Sequence, residues 1–85
     1  MHTPSINLRI EQVILGSHSE LVGQTLKDAS IRQKTGAMVL ALKQNGKLIT
    51  NPSPETIFQA GDELIALGTE EELEGLSTLS GGKER

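Results

Sequence analysis

The run Ala37-Met38-Val39-Leu40-Ala41-Leu42 is the longest apolar stretch in a chain of 85 residues, and it is apolar at odd and even positions alike. Successive side chains of a strand point to opposite faces, so this strand has no polar face to offer water and belongs inside a sheet. Asn45-Gly46 follows two residues later. A type I′ turn needs positive φ at both central residues, which this dipeptide supplies readily, so 47–50 is predicted to return antiparallel as the second arm of a hairpin. Asn51-Pro52-Ser53-Pro54 then stops the ladder, because neither proline has an N–H to donate.

The rest of the chain is arranged around that hairpin. Ile6, Leu8 and Ile10 alternate with Asn7, Arg9 and Glu11, the period of a half-buried strand, placed at 7–15. Val13-Ile14-Leu15 interrupts the alternation, which predicts a far end covered on both faces or bulged. Leu21 and Val22 read as a plug beneath a polar loop. Thr25 followed by Asp28 has the form of a helix N-cap, and Gly36 suits the left-handed position that ends the helix near Thr35. After the bend, Ile57 and Phe58 read as core plugs, Ala60-Gly61-Asp62 as a turn, and 63–67 as a last strand, again apolar on both faces. Thr69 and Glu72 form a capping box for a closing helix whose stripe is Leu73, Leu76 and Leu79. The predicted fold is α+β, a β-α-β-β-β-α unit over residues 6–79 with a single sheet and its helices on one face. Residues 1–5 are expected to be a flexible leader and 80–85 a flexible tail. Two short helices cover only one face, so the second face of the sheet is predicted to meet another copy of the chain, as a homodimer.

Composition removes several kinds of chemistry. The chain has no Cys, so disulfides and thiolate chemistry are excluded. His2 and His18 have no partner at ligand spacing, and no metal site is expected. Acids Glu70, Glu71, Glu72 and Glu74 suit the first turn of a helix through its dipole. Ser17-His18-Ser19 sets hydroxyls beside an imidazole without a third orienting group. Gly16 and Gly23 enclose six residues, with Gln24 where a phosphate loop needs lysine. No catalytic residues are assigned, and the chain is expected to be no enzyme. No apolar run is long enough to span a bilayer, so no membrane insertion is expected and the predicted location is cytoplasmic. The net charge of -3 hides a segregation: between residues 27 and 47 there are five bases (Lys27, Arg32, Lys34, Lys43, Lys47) and one acid, whereas from 55 to 74 there are seven acids and no base. Nucleic-acid binding calls for a broad basic face, which is lacking; a small anion at the middle of the chain fits better.

The stretch from Ile31 to Leu73 resembles the C-terminal lobe of the regulator-of-conductance-of-potassium family, also called the TrkA-C domain. The likeness rests on Arg32-x-x-x-Gly36, the Ala41-Leu42-Lys43 exit of the central strand, Asn51-Pro52-Ser53-Pro54, Ala60-Gly61-Asp62 with Leu64 following, Gly68-Thr69-Glu70, and Leu21-x-Gly23-x-Thr25-Leu26. It implies the fold derived above, paired as a homodimer, and a role in sensing a small intracellular ligand for a membrane cation channel or transporter. Some members of that family bind c-di-AMP in the cleft between two subunits. Carried over by position, the resemblance implies Val39 and Leu40 as the apolar wall facing the partner, and Asn51 and Pro52 as the polar edge. The hairpin turn Gln44-Asn45-Gly46 lacks the basic residue common there, which leaves Arg32, Lys43 and Lys47 to meet phosphates. No other cofactor is implied. A purely structural dimerisation module and a divalent-cation sensor are the alternatives.

Overall fold

The computed structural model describes residues 7–81; the expected leader and the end of the expected tail, 82–85, lie outside them. The elements are β1 (Arg9–Ile14), α1 (Leu26–Ala29), α2 (Ile31–Thr35), β2 (Met38–Gln44), β3 (Lys47–Thr50), β4 (Glu63–Gly68) and α3 (Glu70–Leu79). The strands form one antiparallel sheet in the order β1-β4-β2-β3. The two strands whose sequences are apolar on both faces, β2 and β4, are therefore the inner pair. Asn45 at φ 53 and Gly46 at φ 76 make the turn between β2 and β3, as the dipeptide requires.

Register assigns every strand residue to a face. Val13 opposes Leu64 and Leu42 opposes Leu64 from the other side, while Glu11 and Val39 flank Ala66. This face packs on the helices: Val13, Leu15, Leu42, Leu64 and Ala66 form one buried core with Ala29, Ile31, Phe58, Leu73 and Leu76. Ile10, Ile14, Met38 and Leu48 lie on the opposite face and remain 63%, 59%, 40% and 59% exposed. Ile65 and Leu67 of β4 stand among them, half-buried.

Local chemistry fixes the joints. Thr69 Oγ1 accepts from the Glu72 N–H at 3.2 Å while Glu72 Oε1 accepts from the Thr69 N–H at 2.9 Å, a complete capping box at the start of α3. The same Glu72 side chain lies over Gly36, where a Cβ would stand 2.7 Å from Glu72 Oε2. Asp62, 3% exposed, ties the hairpin to the turn before β4: its Oδ2 accepts from the Gln59 N–H at 2.7 Å and from Gln44 Nε2 at 2.9 Å.

Four expectations are corrected. Ile57, expected as a core plug beside Phe58, is 53% exposed, and only Phe58 enters the core. The first helix is broken at Ser30, which takes φ 50 and separates α1 from α2. Ala29 and Ile31 are both buried, and residues two apart point to nearly opposite sides of a continuous helix, so both reach the core only if the helix turns between them. At the end of β1 there is neither a bulge nor double cover: Val13 and Leu15 are buried, Ile14 is exposed, and the alternation continues without a register shift. Ser80, expected to begin a flexible tail, is fully buried; its N–H donates to Leu76 O, and its carbonyl accepts from the Gly16 N–H at 2.8 Å. The end of α3 is thereby fastened to the end of β1.

Candidate ligand-binding site

The irregularity in the sheet lies in β2. Val39 opposes Ala66 and Ala41 opposes Ile65, so Leu40 is an extra residue in a β-bulge. The bulge meets the bend that leaves β3: the Asn51 N–H donates to Leu40 O at 3.3 Å. Asn51 itself sits at φ 52, a left-handed conformation that Asn tolerates better than most residues. Beyond it, the carbonyls of Pro54 and Thr56 accept from the N–H groups of Lys27 and Leu26 at 3.0 and 2.8 Å. The Asn51–Pro54 bend thus runs from the sheet edge at Leu40 up to the first turn of α1. Its carbonyls satisfy amides that a short helix leaves without intrahelical partners.

This arrangement brings Leu40, Asn51 and Pro52 together and divides the other candidates. Val39 does not face outward with Leu40 as the resemblance implied. It lies on the helix-covered side and packs against the core, because the bulge begins only after it. Lys43 is on the open face, opposite Leu48 on β3 and Glu63 on β4. Lys47 opposes Gln44 at the hairpin end. Arg32 belongs to α2, and its carbonyl accepts from the Gly36 N–H at 2.9 Å, which places it near the start of β2. From Met38 to Lys43 is about 16 Å along a strand, so one chain does not gather Arg32 with Lys43 and Lys47.

All three of these cations are exposed, and among the described residues none has a carboxylate within ion-pair distance. Lys34 differs, since its Nζ lies 3.3 Å from Glu20 Oε2. An anion held by the backbone between Lys34 and the central strand finds no donor there: the Gly36 N–H is taken by Arg32 O and the Ala37 N–H by Thr35 Oγ1 at 3.0 Å. Lys27, absent from the candidate set, is carried beside the bend by its backbone bond to Pro54 O. Its place in the basic cluster was the one sequence signal for it. Ser17 Oγ and His18 Nδ1 are 3.5 Å apart on an exposed loop. Among the described residues no group of three or more His, Asp or Glu is placed to hold a metal ion, and no helix is long and apolar enough to cross a membrane.

The sequence profile of the TrkA-C domain family matches residues 10–81. The chain belongs to the TrkA-C domain family. Among curated proteins, this TrkA-C domain is similar to Potassium channel protein 1 of Methanocaldococcus jannaschii, with 46% identity over 67 residues, which is 79% of this chain and 20% of the channel protein. The domain thus spans about a fifth of that relative's length. Among solved structures it is similar to the RCK_C domain dimer of S. agalactiae BusR in complex with c-di-AMP, at a TM-score of 0.83 and 25% identity, covering 89% of this chain and 94% of that one. The RCK C domain of the potassium transport protein KtrA, also in complex with c-di-AMP, matches at a TM-score of 0.73 and 27% identity over 84% of this chain and 81% of its own.

Proposed function

We propose that this TrkA-C domain is a non-enzymatic, ligand-responsive regulatory domain of a potassium or other cation transport system on the cytoplasmic side of a membrane, and that two copies bind c-di-AMP between them. The observation that supports this most is the likeness, over nearly the whole of both chains, to an RCK_C dimer in complex with c-di-AMP. The chemistry of the bulge and bend agrees with it. Leu40 and Pro52 offer apolar surface to a base, Asn51 offers an amide, and the exposed Arg32, Lys43 and Lys47, without ion pairs among the described residues, offer charge to phosphates. Because Arg32 and the hairpin lysines lie at opposite ends of β2, the dinucleotide takes its charge contacts from two subunits. The ligand acts by binding one arrangement of the pair more tightly than another, since only differential affinity shifts an equilibrium.

A ligand that binds only the native state raises the melting temperature by mass action, and at a hundred times its Kd it adds about 2.7 kcal/mol. A thermal-shift series with c-di-AMP, calcium and magnesium therefore tests the reading. Stabilisation by c-di-AMP alone is expected; no shift at saturating c-di-AMP would sink the dinucleotide assignment, and a shift with calcium alone would favour the cation sensor. Asn51→Gly separates two roles of that residue. Glycine accepts positive φ without strain, so the unliganded melting temperature should stay within a few degrees while the c-di-AMP shift shrinks. If the shift is unchanged in Asn51→Gly, Asn51 is a turn former only.

A further inference from the structure

The chain has three asparagines, Asn7, Asn45 and Asn51, and they are not chemically alike. An asparagine amide is lost when the backbone nitrogen of the next residue attacks the side-chain carbonyl carbon, so the following residue decides which asparagine reacts. Asn51 is followed by Pro52, whose nitrogen has no proton to give up. Asn7 is followed by Leu8, whose branched side chain crowds the nitrogen. Asn45 is followed by Gly46, where even an added Cβ would have nothing within 4 Å. We propose that Asn45 is a self-modification site, which converts to aspartate or isoaspartate and sets a carboxylate between the lysines of the hairpin.

The hairpin end leaves both reacting groups open. Asn45 and Gly46 are exposed, and among the described residues neither the Asn45 side chain nor the Gly46 N–H has a hydrogen-bond partner. Lys43 and Lys47 stand two residues away on either side of Asn45, exposed and without ion pairs among the described residues. Their positive charge favours the anionic nitrogen through which the reaction starts. Hydroxide takes the Gly46 N–H proton, the nitrogen bonds to Asn45 Cγ, and the Cγ–Nδ2 bond breaks. Nδ2 takes a proton from water and leaves as ammonia, and a cyclic imide remains. Water then opens the imide, either at Cγ, which restores the main chain and gives aspartate, or at the backbone carbonyl carbon, which gives isoaspartate. Water and hydroxide are the only co-reactants, and nothing is oxidised or reduced.

The turn also sets the pace of the reaction. Asn45 has φ 53, and a central residue of a type I′ turn has positive ψ as well, which carries the following nitrogen to the side away from Cβ. The closed hairpin therefore holds the Gly46 nitrogen off the Asn45 side chain, and the reaction waits for a local opening of the hairpin end. Its products change that end of the sheet. Isoaspartate adds a main-chain atom to a tight turn that has no place for it, next to the Gln44–Lys47 pair. Either product adds a negative charge beside Lys43 and Lys47, two of the candidate phosphate contacts, and so weakens their hold on an anion. That weakening rests on the c-di-AMP reading; the modification itself does not.

Incubation of the folded chain at mildly alkaline pH, followed by peptide mapping by mass spectrometry and labelling with an isoaspartyl methyltransferase, tests the site. The Asn45 amide should be lost progressively, with isoaspartate appearing in its peptide, while Asn51 stays intact and Asn7 is lost far more slowly. An Asn45 that survives in the folded chain but reacts in the urea-unfolded chain would overturn the proposal, and so would loss of Asn7 at the same rate. Asn45→Asp and Asn45→Gly both keep the turn, since Asp-Gly and Gly-Gly also suit type I′, so neither variant is at risk of misfolding. The c-di-AMP thermal shift should shrink in Asn45→Asp and keep its wild-type size in Asn45→Gly, and saturating c-di-AMP should slow the loss of Asn45 in wild type. A wild-type shift that is unchanged in Asn45→Asp would overturn the effect on the ligand. No shift in wild type would count against the c-di-AMP reading alone, and the peptide map would still decide the modification.

Discussion

The two faces of this sheet are built from neighbouring residues of the same strands, yet they meet different surroundings. On the helix side Leu42, Leu64 and Ala66 are fully buried by elements of their own chain. One residue away in β4, Ile65 and Leu67 carry side chains of similar apolar character to the opposite face, where they are only half-buried. Composition therefore does not distinguish a core from an interface. What distinguishes them is whether α2, α3 and the Phe58 segment close over the residue, and those elements are too short to serve both sides.

The comparison is tested most severely by Leu64→Ala and Ile65→Ala, adjacent residues of β4 that point to opposite faces. Leu64 is 0% exposed within a closed core, so its truncation should cost about 2–5 kcal/mol. That loss should be the same at every protein concentration, measured by urea unfolding. Ile65→Ala should cost less in dilute solution, where its half-covered side chain has fewer contacts to lose, and more as concentration rises. Equal and concentration-independent losses at the two positions would show that the open face contributes nothing beyond its own chain.

A smaller effect sharpens the covered side. Gly36 takes φ 86 between α2 and β2, and the Glu72 side chain lies against it. Gly36→Ala puts a Cβ in a left-handed conformation that costs an ordinary residue about 1–2 kcal/mol, and it also displaces a carboxylate engaged in the cap of α3. The two origins separate in a thermal-unfolding cycle with Glu72→Ala. If the alanine costs as much in that background as in wild type, backbone strain accounts for the whole loss.

These positions also show how far the sequence could be read. The Asn45-Gly46 turn, Gly36, the Thr69–Glu72 capping box and the two inner strands were legible because each depends on residues close in sequence, or on a periodicity that a few residues express. The break at Ser30 was not legible. It follows from the burial of both Ala29 and Ile31, and so from a core assembled by distant parts of the chain. Ser80 looked like the start of a tail because its partner, Gly16, is 64 residues earlier. The face of Val39 depended on the bulge at Leu40, and a run of apolar residues carries no mark of where a bulge falls. In the candidate site the bend and the basic residues were visible by type, but the separation of Arg32 from Lys43 and Lys47 required the path of β2.

The smallest effect is the most discriminating, and it falls on Leu48. It is 59% exposed on an edge strand, and truncation of an exposed side chain usually changes stability by no more than about 0.5 kcal/mol. For an isolated chain, Leu48→Ala should therefore melt at nearly the wild-type temperature. In a dimer formed through the open face, however, Leu48 is covered by the second copy, and association stabilises the native state in proportion to the logarithm of concentration. The wild-type melting temperature should then climb across a hundredfold range of concentration, while that of Leu48→Ala climbs less, so that the two curves meet at the dilute end and separate at the concentrated end. Parallel curves would mean that Leu48 faces solvent at every concentration, and the open face would lose its assignment even though every residue on the covered face behaved as expected.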